Sequence, residues 1–345
     1  MRAFALQSAG AEPAVTEVPN PAPGPGEVLV RVAASSINGF DASVAAGRLH
    51  GMMEHRFPVV LGKDFAGTVE AVGEGVGSVA PGDRVVIGWK TACDTCVYCK
   101  RGEPRQCKRP PAAGPRLHRA DGTVLTPVLR SGTYATRTVV PEVGVVQVPR
   151  ELPVEQACLI GCAVATGVMS VLETARVWEG ARVAVIGCGA VGLSVVQGAR
   201  IAGASEIRAI DLDERKLEQA LRFGATDTGE GPVDFAFDVV GRGSTFELAL
   251  KLLGGGGTAV LIGISPAGER ATVNLPDFFA RRSRVLVSHG GDHLPQEDFP
   301  RIARYALDGE LDLAGMVSKV IGLDDVPAAF DDMRSGEVIR SVAVL

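Results

Sequence analysis

The stretch that most constrains this chain runs from Arg182 to Asp211. An apolar run, Arg182 to Ile186, has the length of a short strand and leads into Gly187-Cys188-Gly189-Ala190-Val191-Gly192. Helical spacing follows from Val191 to Ala202, and a second strand-like run, Glu206 to Ile210, ends on Asp211. Few folds accept three glycines in a G-x-G-x-x-G turn between strand and helix. The first glycine permits the tight turn, the second admits a bound group close to the backbone, and the third lets helix and strand pack closely. Free N–H groups at the helix start then face an anion. Strand, glycine turn, helix, strand and acid in this order form the fingerprint of a dinucleotide site. The bland alternative is a nucleotide-free turn with a helix-capping aspartate, which the complete order disfavours.

The alternation continues beyond this stretch. A helix is predicted from Glu214 to Phe223, and strands from Val233 to Phe237 and Thr258 to Ile262 with a helix between them. Such alternation implies a parallel sheet covered on both faces. The predicted fold class is therefore α/β, with a Rossmann doubly wound coenzyme domain over 153–288. Residues 1–152 differ, alternating short β runs (Val28 to Val32, Thr68 to Val72, Arg84 to Ile87) with Pro/Gly turns. That pattern predicts a compact, mostly antiparallel β domain. After His289 come two helix-like stretches and a last β run, Ser341 to Leu345. They predict that 289–345 return to the first domain, making it discontinuous. A chain of 345 residues accommodates two such domains.

Within the first domain, about 91–130 is rich in Cys, Arg, Pro and Gly and lacks an apolar period. It reads as a lobe outside the β core. Cys93, Cys96, Cys99 and Cys107 stand there as C-x2-C-x2-C-x7-C. Four thiolates complete a tetrahedral zinc and leave no open position, so the site is structural. One zinc per chain is expected, folding a loop that has no hydrophobic core of its own. Neither ferredoxin spacing is matched, which disfavours an iron–sulfur cluster.

Four of the seven cysteines fall in this lobe, which suggests metal in a reducing compartment rather than disulfides. The N-terminus lacks the apolar core of a secretory signal, and a cytoplasmic location is expected. Arg182 to Arg200 approaches the length of a membrane span, but its four glycines suit a strand, turn and helix better. With a net charge of −5 and no basic patch, neither nucleic acid nor a membrane is an expected partner. Asp211 can accept hydrogen bonds from both adenosine ribose hydroxyls and would repel a 2′-phosphate. NAD(H) is thus preferred over NADP(H), although Arg215 and Lys216 nearby soften the repulsion.

These residues resemble the medium-chain dehydrogenase/reductase superfamily along nearly the whole chain. The cysteine lobe, Cys158-Leu159-Ile160-Gly161-Cys162 through Thr166-Gly167, the glycine turn, and Ser335 to Ser341 resemble the zinc alcohol dehydrogenases. Ser36-Ile37-Asn38-Gly39-Phe40-Asp41 and Leu61-Gly62-Lys63-Asp64-Phe65-Ala66-Gly67 resemble the zinc-free quinone oxidoreductases. The resemblance implies a GroES-like catalytic domain beside the coenzyme domain. It places Asn38, Lys63 and Cys162 at the catalytic zinc ligands' positions, where only Cys162 is a good ligand. Phe40 and Ser43 fall at the proton relay positions, so the relay is missing as well. Lys63, Asn38 and Asp64 are the catalytic candidates, and Asp64 is expected to pair with Arg340.

For the coenzyme, the resemblance assigns Thr166 and Val191 to the nicotinamide ring and Lys216 to the adenosine ribose. Arg340 is assigned to the pyrophosphate, and Gly263 to the nicotinamide pocket. Set against these are plainer readings, with Thr166 as a helix N-cap, Lys216 as an exposed helix lysine, and Lys63 as a side chain that pairs with Asp64 or reaches solvent, which the sequence slightly favours over a catalytic role.

The implied activity is NAD(P)H-dependent reduction of a conjugated carbonyl or quinone, a small molecule, without catalytic zinc. The alternative is a zinc-dependent alcohol dehydrogenase with a rearranged metal site drawn from Cys162, Asp64 and His50 or His55. A third reading is a non-catalytic coenzyme-binding protein. Ala271 to Leu275 and Val285 to Ser288 resemble the family's subunit contacts, which implies a homodimer or homotetramer.

Overall fold

A computed structural model of the chain describes residues 1–48, 57–226 and 231–345. The chain divides into two units. One comprises Met1–Cys162, Leu294–Asp308 and Leu313–Leu345; the other comprises Ala163–His293 and Gly309–Asp312. The first unit is discontinuous, and its last strand explains why. Arg340–Val344 pairs antiparallel with Glu27–Ser36, setting Val342 opposite Ser36. The first two crossings follow Cys162 and His293 rather than 152 and 288, and Gly309–Asp312 interrupts the expected return over 289–345. Residues up to Cys162 stay with the β sheet: a Cβ on Gly161 would lie 2.4 Å from Ile87 O.

The second unit holds five parallel strands in the order Glu206–Ile210, Arg182–Ile186, Val233–Asp238, Leu253–Leu261, Arg284–Val287. Helices Ala190–Ile201, Glu214–Arg222 and Gly243–Leu252 connect them. Ala184, Ile186, Val233, Ala236, Leu253 and Ala259 are all buried in one core. Central parallel strands are apolar throughout because both faces are covered. The helical stretch Val154–Ala175 is long and apolar enough to cross a membrane, but 78% of its most apolar window is buried inside the fold.

In the first unit one sheet runs Val317–Ile321, Arg340–Val344, Glu27–Ser36, Ala66–Val72, Arg84–Ile87, Val145–Gln147, with Arg137–Pro141 also on Glu27–Ser36. All its pairings are antiparallel except that of Val317–Ile321 with Arg340–Val344. Val28, Val30 and Val32 alternate into its core with Phe65, Val69, Val85 and Val140. One expectation needs correction. The second half of 91–130 is part of a core, because Leu117, Leu125 and Val128 are buried and Thr126–Pro127 pairs with Val59–Val60. Only the cysteine-bearing half lacks apolar packing of its own.

Candidate functional site

The glycine turn of the second unit divides its labour as its spacing predicts. Gly187 has φ +95°, and a Cβ there would lie 2.7 Å from Val240 Cγ2. On Gly192 a Cβ would lie 1.8 Å from Gly187 O, so only glycine lets the helix close on the strand. Gly189 differs, because nothing lies within 4 Å of its Cβ position. The space there is open to a bound group. Gly189 is also the N-cap of Ala190–Ile201 and offers no side chain to the first-turn N–H groups. These groups suit a pyrophosphate.

Asp211 closes the turn from the next strand. Its Oδ2 accepts from Cys188 N at 2.7 Å and its Oδ1 from Asp213 N at 3.1 Å. Each oxygen retains acceptor capacity for a ribose hydroxyl. Burial pushes the Cys188 thiol up to about 12, and the Lys216 charge opposes this. Lys216 is half-buried, not the exposed helix lysine of the plainer reading. Arg215 pairs with Asp213 at 2.7 Å. Val191 is half-buried in the first turn of the helix. Gly263 packs so closely on the next loop that a Cβ would lie 2.3 Å from Gly241 N. Thr166 is not an N-cap. It lies inside the continuous helical stretch Val154–Ala175, and its carbonyl accepts from Ser170 Oγ at 2.5 Å.

The cysteine lobe of the first unit brings four sulfurs within 4.8 Å of one another: Cys93, Cys96, Cys99 and Cys107. A zinc with bonds near 2.3 Å needs them about 3.8 Å apart, so the set fits the ion. Cys96 N and Thr95 Oγ1 donate to Cys93 Sγ, and Arg109 N donates to Cys107 Sγ. Hydrogen bonds from Thr95 hold the Cys93 thiol down to about 6. Such donors stabilise thiolate. Arg105, between the third and fourth cysteines, anchors the lobe by donating to fully buried Asp298 at 2.6 Å.

A second polar centre of the first unit gathers buried charges. Lys63 is only 7% exposed, and its Nζ sits 4.6 Å from the Phe40 ring centroid. Asp41 and Asp64 are fully buried, and Lys63 acts on both through its charge. Asp41 Oδ1 accepts from Gly62 N at 3.0 Å and Oδ2 from Asn38 Nδ2 at 2.7 Å and Tyr134 OH at 3.4 Å. Asp64 accepts from Ser36 N at 3.1 Å and Ser36 Oγ at 2.8 Å. Burial pushes Asp64 up to about 6, against the pull of Lys63 and Ser36. Asp41 is also raised by burial, opposed by Lys63 and by its hydrogen bonds. The Cys162 thiol is raised by burial too, while the Lys63 charge and hydrogen bond lower it.

Two expectations are modified here. Asp64 does not pair directly with Arg340, because its oxygens are turned to Ser36. Arg340 instead donates from Nη1 to Ile37 O at 3.0 Å, and its buried Nε has no hydrogen-bond partner. That free donor suits an anion. Asn38 serves as the N-cap of Gly39–Ala45, accepting from Phe40 N and Asp41 N. Its amide is thereby occupied within the protein.

The donor set at this centre does not fit a catalytic zinc. Asn38 is a helix cap, Lys63 is a cation, and Asp64 is held by Ser36. His50 and His55 lie outside the described residues. Among the described residues, the cysteine lobe is the one convergent set of three or more metal-binding side chains. Asp41, Ser36 and Tyr134 were missed by sequence reasoning. The first had a signal, an acid three residues after an N-cap Asn.

Comparison with known proteins agrees with this geometry. The family profile described as an alcohol dehydrogenase GroES-like domain matches residues 24–150, and the zinc-binding dehydrogenase profile matches 190–307. S-(hydroxymethyl)glutathione dehydrogenase of Paracoccus denitrificans is 32% identical, with 99% of each chain covered. The class-3 alcohol dehydrogenase of Cereibacter sphaeroides is likewise 32% identical over 99% of each. Among solved structures, an alcohol dehydrogenase zinc-binding domain protein from Burkholderia ambifaria superposes with a TM-score of 0.93 at 29% identity, covering 100% of this chain and 98% of that one. Benzyl alcohol dehydrogenase from Acinetobacter calcoaceticus gives 0.91 at 25% identity, covering 100% and 99%.

Proposed function

The chain belongs to the medium-chain dehydrogenase/reductase superfamily, and we propose that it uses NAD(H) to interconvert a small alcohol and its carbonyl compound. One observation carries this reading: relatives named class-3 alcohol dehydrogenase and S-(hydroxymethyl)glutathione dehydrogenase each match the chain over 99% of its length. They support the alcohol dehydrogenase alternative over the enone or quinone reduction that ranked first in the sequence. A zinc at the catalytic positions is not part of the proposal, because the donor set there does not fit one.

When bound, the nicotinamide supplies or takes up the hydride. The chain's own residues hold and orient it. Backbone N–H groups of 187–192 take the pyrophosphate, with Gly189 leaving room for it. Asp211 takes the ribose hydroxyls and favours NAD(H) by repelling a 2′-phosphate, with Lys216 beside it. Thr166, Val191 and Gly263 line the nicotinamide. The structural zinc of Cys93, Cys96, Cys99 and Cys107 keeps the lobe folded and takes no part in the chemistry.

A homo-oligomer belongs to the same proposal. The strand Arg284–Val287 is the exposed edge of its sheet, with Val287 64% exposed. Leu275 and Phe279 on the neighbouring helix are 70% and 86% exposed. An open edge flanked by large apolar side chains pairs readily with a second copy.

The test follows NADH absorbance with three panels: primary and secondary alcohols with NAD+, aldehydes and ketones with NADH, and enones and quinones with NADH. Turnover of the first two panels is expected. Turnover confined to the third would overturn the reading.

A further inference from the structure

Resting on the alcohol–carbonyl reading above, we propose that Lys63 is a catalytic residue that polarises and protonates the substrate oxygen in place of a metal, and that Asp41 positions it. The inference stands on how the buried charges use their hydrogen bonds. Lys63 and Arg340 face Asp41 and Asp64 in the first unit, two cations against two carboxylates, and all four are buried. Burying an ion is costly even after relaxation, and well-packed apolar residues are often as stable in such a place or more so. Buried ionisable groups gathered in this way make a functional-site candidate.

Neither carboxylate consumes the ammonium. Asp41 gives its oxygens to Gly62, Asn38 and Tyr134, and Asp64 gives both of its oxygens to Ser36. Lys63 makes no ion pair among the described residues, and the acids reach it by charge alone. Its neighbours are Asp41 and Phe40 from the helix Gly39–Ala45, Asp64 beside it in the chain, and Cys162. Its charge acts on the Cys162 thiol as well, and an ammonium has three donors. Donor capacity therefore remains for a substrate oxygen in a site of low dielectric, where it acts strongly.

The step balances as follows. As hydride reaches the carbonyl carbon, the C=O π pair moves to oxygen, and a Lys63 N–H proton passes to that oxygen to give the alcohol. The amine regains its proton from water. In oxidation the neutral amine takes the hydroxyl proton as hydride leaves carbon.

Asp41 sets this geometry through the residue before the lysine. Gly62 has φ +91°, and a Cβ on it would lie 2.5 Å from Tyr134 N. The hydrogen bond from Gly62 N to Asp41 Oδ1 holds that turn and brings a carboxylate charge towards the ammonium. Asp41 thus acts through Lys63, without touching substrate.

The test uses full-length, zinc-loaded protein and reads kcat, KM, the Kd for NADH by fluorescence, and Tm. Lys63→Met should lower kcat about 100-fold or more with the NADH Kd unchanged, and Lys63→Arg should restore part of it. If Lys63→Met does not fold, Lys63→Gln, similar in length and polar, takes its place with the same expectation. Asp41→Asn should lower kcat about 10-fold with little change in KM, and Asp41→Glu should recover part of the loss. A neutral Lys63 variant turning over like the parent overturns the catalytic role. An Asp41→Asn variant with parental kcat, or one whose loss lies wholly in KM, overturns the positioning role. A parent that turns over neither alcohols nor carbonyls overturns the underlying reading instead.

Discussion

Asp41 Oδ1 accepts a hydrogen bond from Gly62 N at 3.0 Å, joining the helix Gly39–Ala45 to the residue that precedes Lys63. In the sequence Asp41 is marked only as an acid three residues after Asn38, and Gly62 only as one glycine of a turn. Together they fix a left-handed turn and place a carboxylate near a buried ammonium.

Gly189 and Gly192 stand three residues apart and should fail differently. The Cβ of Gly189→Ala meets no protein atom within 4 Å, so this variant should leave Tm unchanged while weakening NADH binding. Gly192→Ala would push a Cβ to 1.8 Å from Gly187 O. It should cost about 1–3 kcal/mol of folding stability, as overpacking does. Melting curves with and without NADH tell the two apart.

Asp211→Asn should weaken NADH and narrow the gap to NADPH. A charged hydrogen bond is worth about 1.5–3 kcal/mol, or about 10-fold or more in Kd. Fluorescence titration with both coenzymes reads the change. An unmodified protein that already binds NADPH more tightly would refute the role given to Asp211.

Much of the coenzyme unit was legible because its signal is local. Arg182–Ile186 and Glu206–Ile210 are apolar runs with glycine or acid at their ends, and no distant contact is needed to recognise them. The four cysteines were legible for the same reason. The buried charge centre was not, because Asp41, Lys63, Tyr134 and Arg340 come from four separate segments. Lys63 and Asp64 were reached through resemblance; Asp41 had only its place three residues after Asn38, and nothing in the spacing of Tyr134 points to it. Val317–Ile321 escaped because its residues are exposed or half-exposed at a sheet edge, without the alternation that marks a strand.

Asp64 gives a pH dependence of definite sign. In the folded protein it keeps its proton up to about 6, against an ordinary value of 3.8. Between these values the folded state binds more protons than the unfolded one. Its contribution to stability is therefore full at low pH and is lost as pH rises through 6. The Tm of the parent relative to Asp64→Asn should accordingly fall between about pH 4 and pH 7. A relative Tm that climbs over that range would contradict the dominance of burial over the Ser36 hydrogen bonds and the Lys63 charge at Asp64.

Val287→Lys should reduce oligomer size without altering the fold, because it places a charge on the exposed edge strand Arg284–Val287. Light scattering after size-exclusion chromatography reads the mass, and far-ultraviolet circular dichroism reads the fold. Unchanged mass would remove this edge from the interface.

The most direct test of the central claim is the zinc content of active protein, counted against chains competent to bind NADH. Among the described residues the side chains fit one ion, held by Cys93, Cys96, Cys99 and Cys107, and the proposal puts Lys63 where a second would act. One zinc per active chain is therefore predicted, and Cys96→Ser should abolish its binding and lower Tm. Two zincs per active chain, with one persisting in Cys96→Ser and turnover lost when it is chelated, would contradict the account.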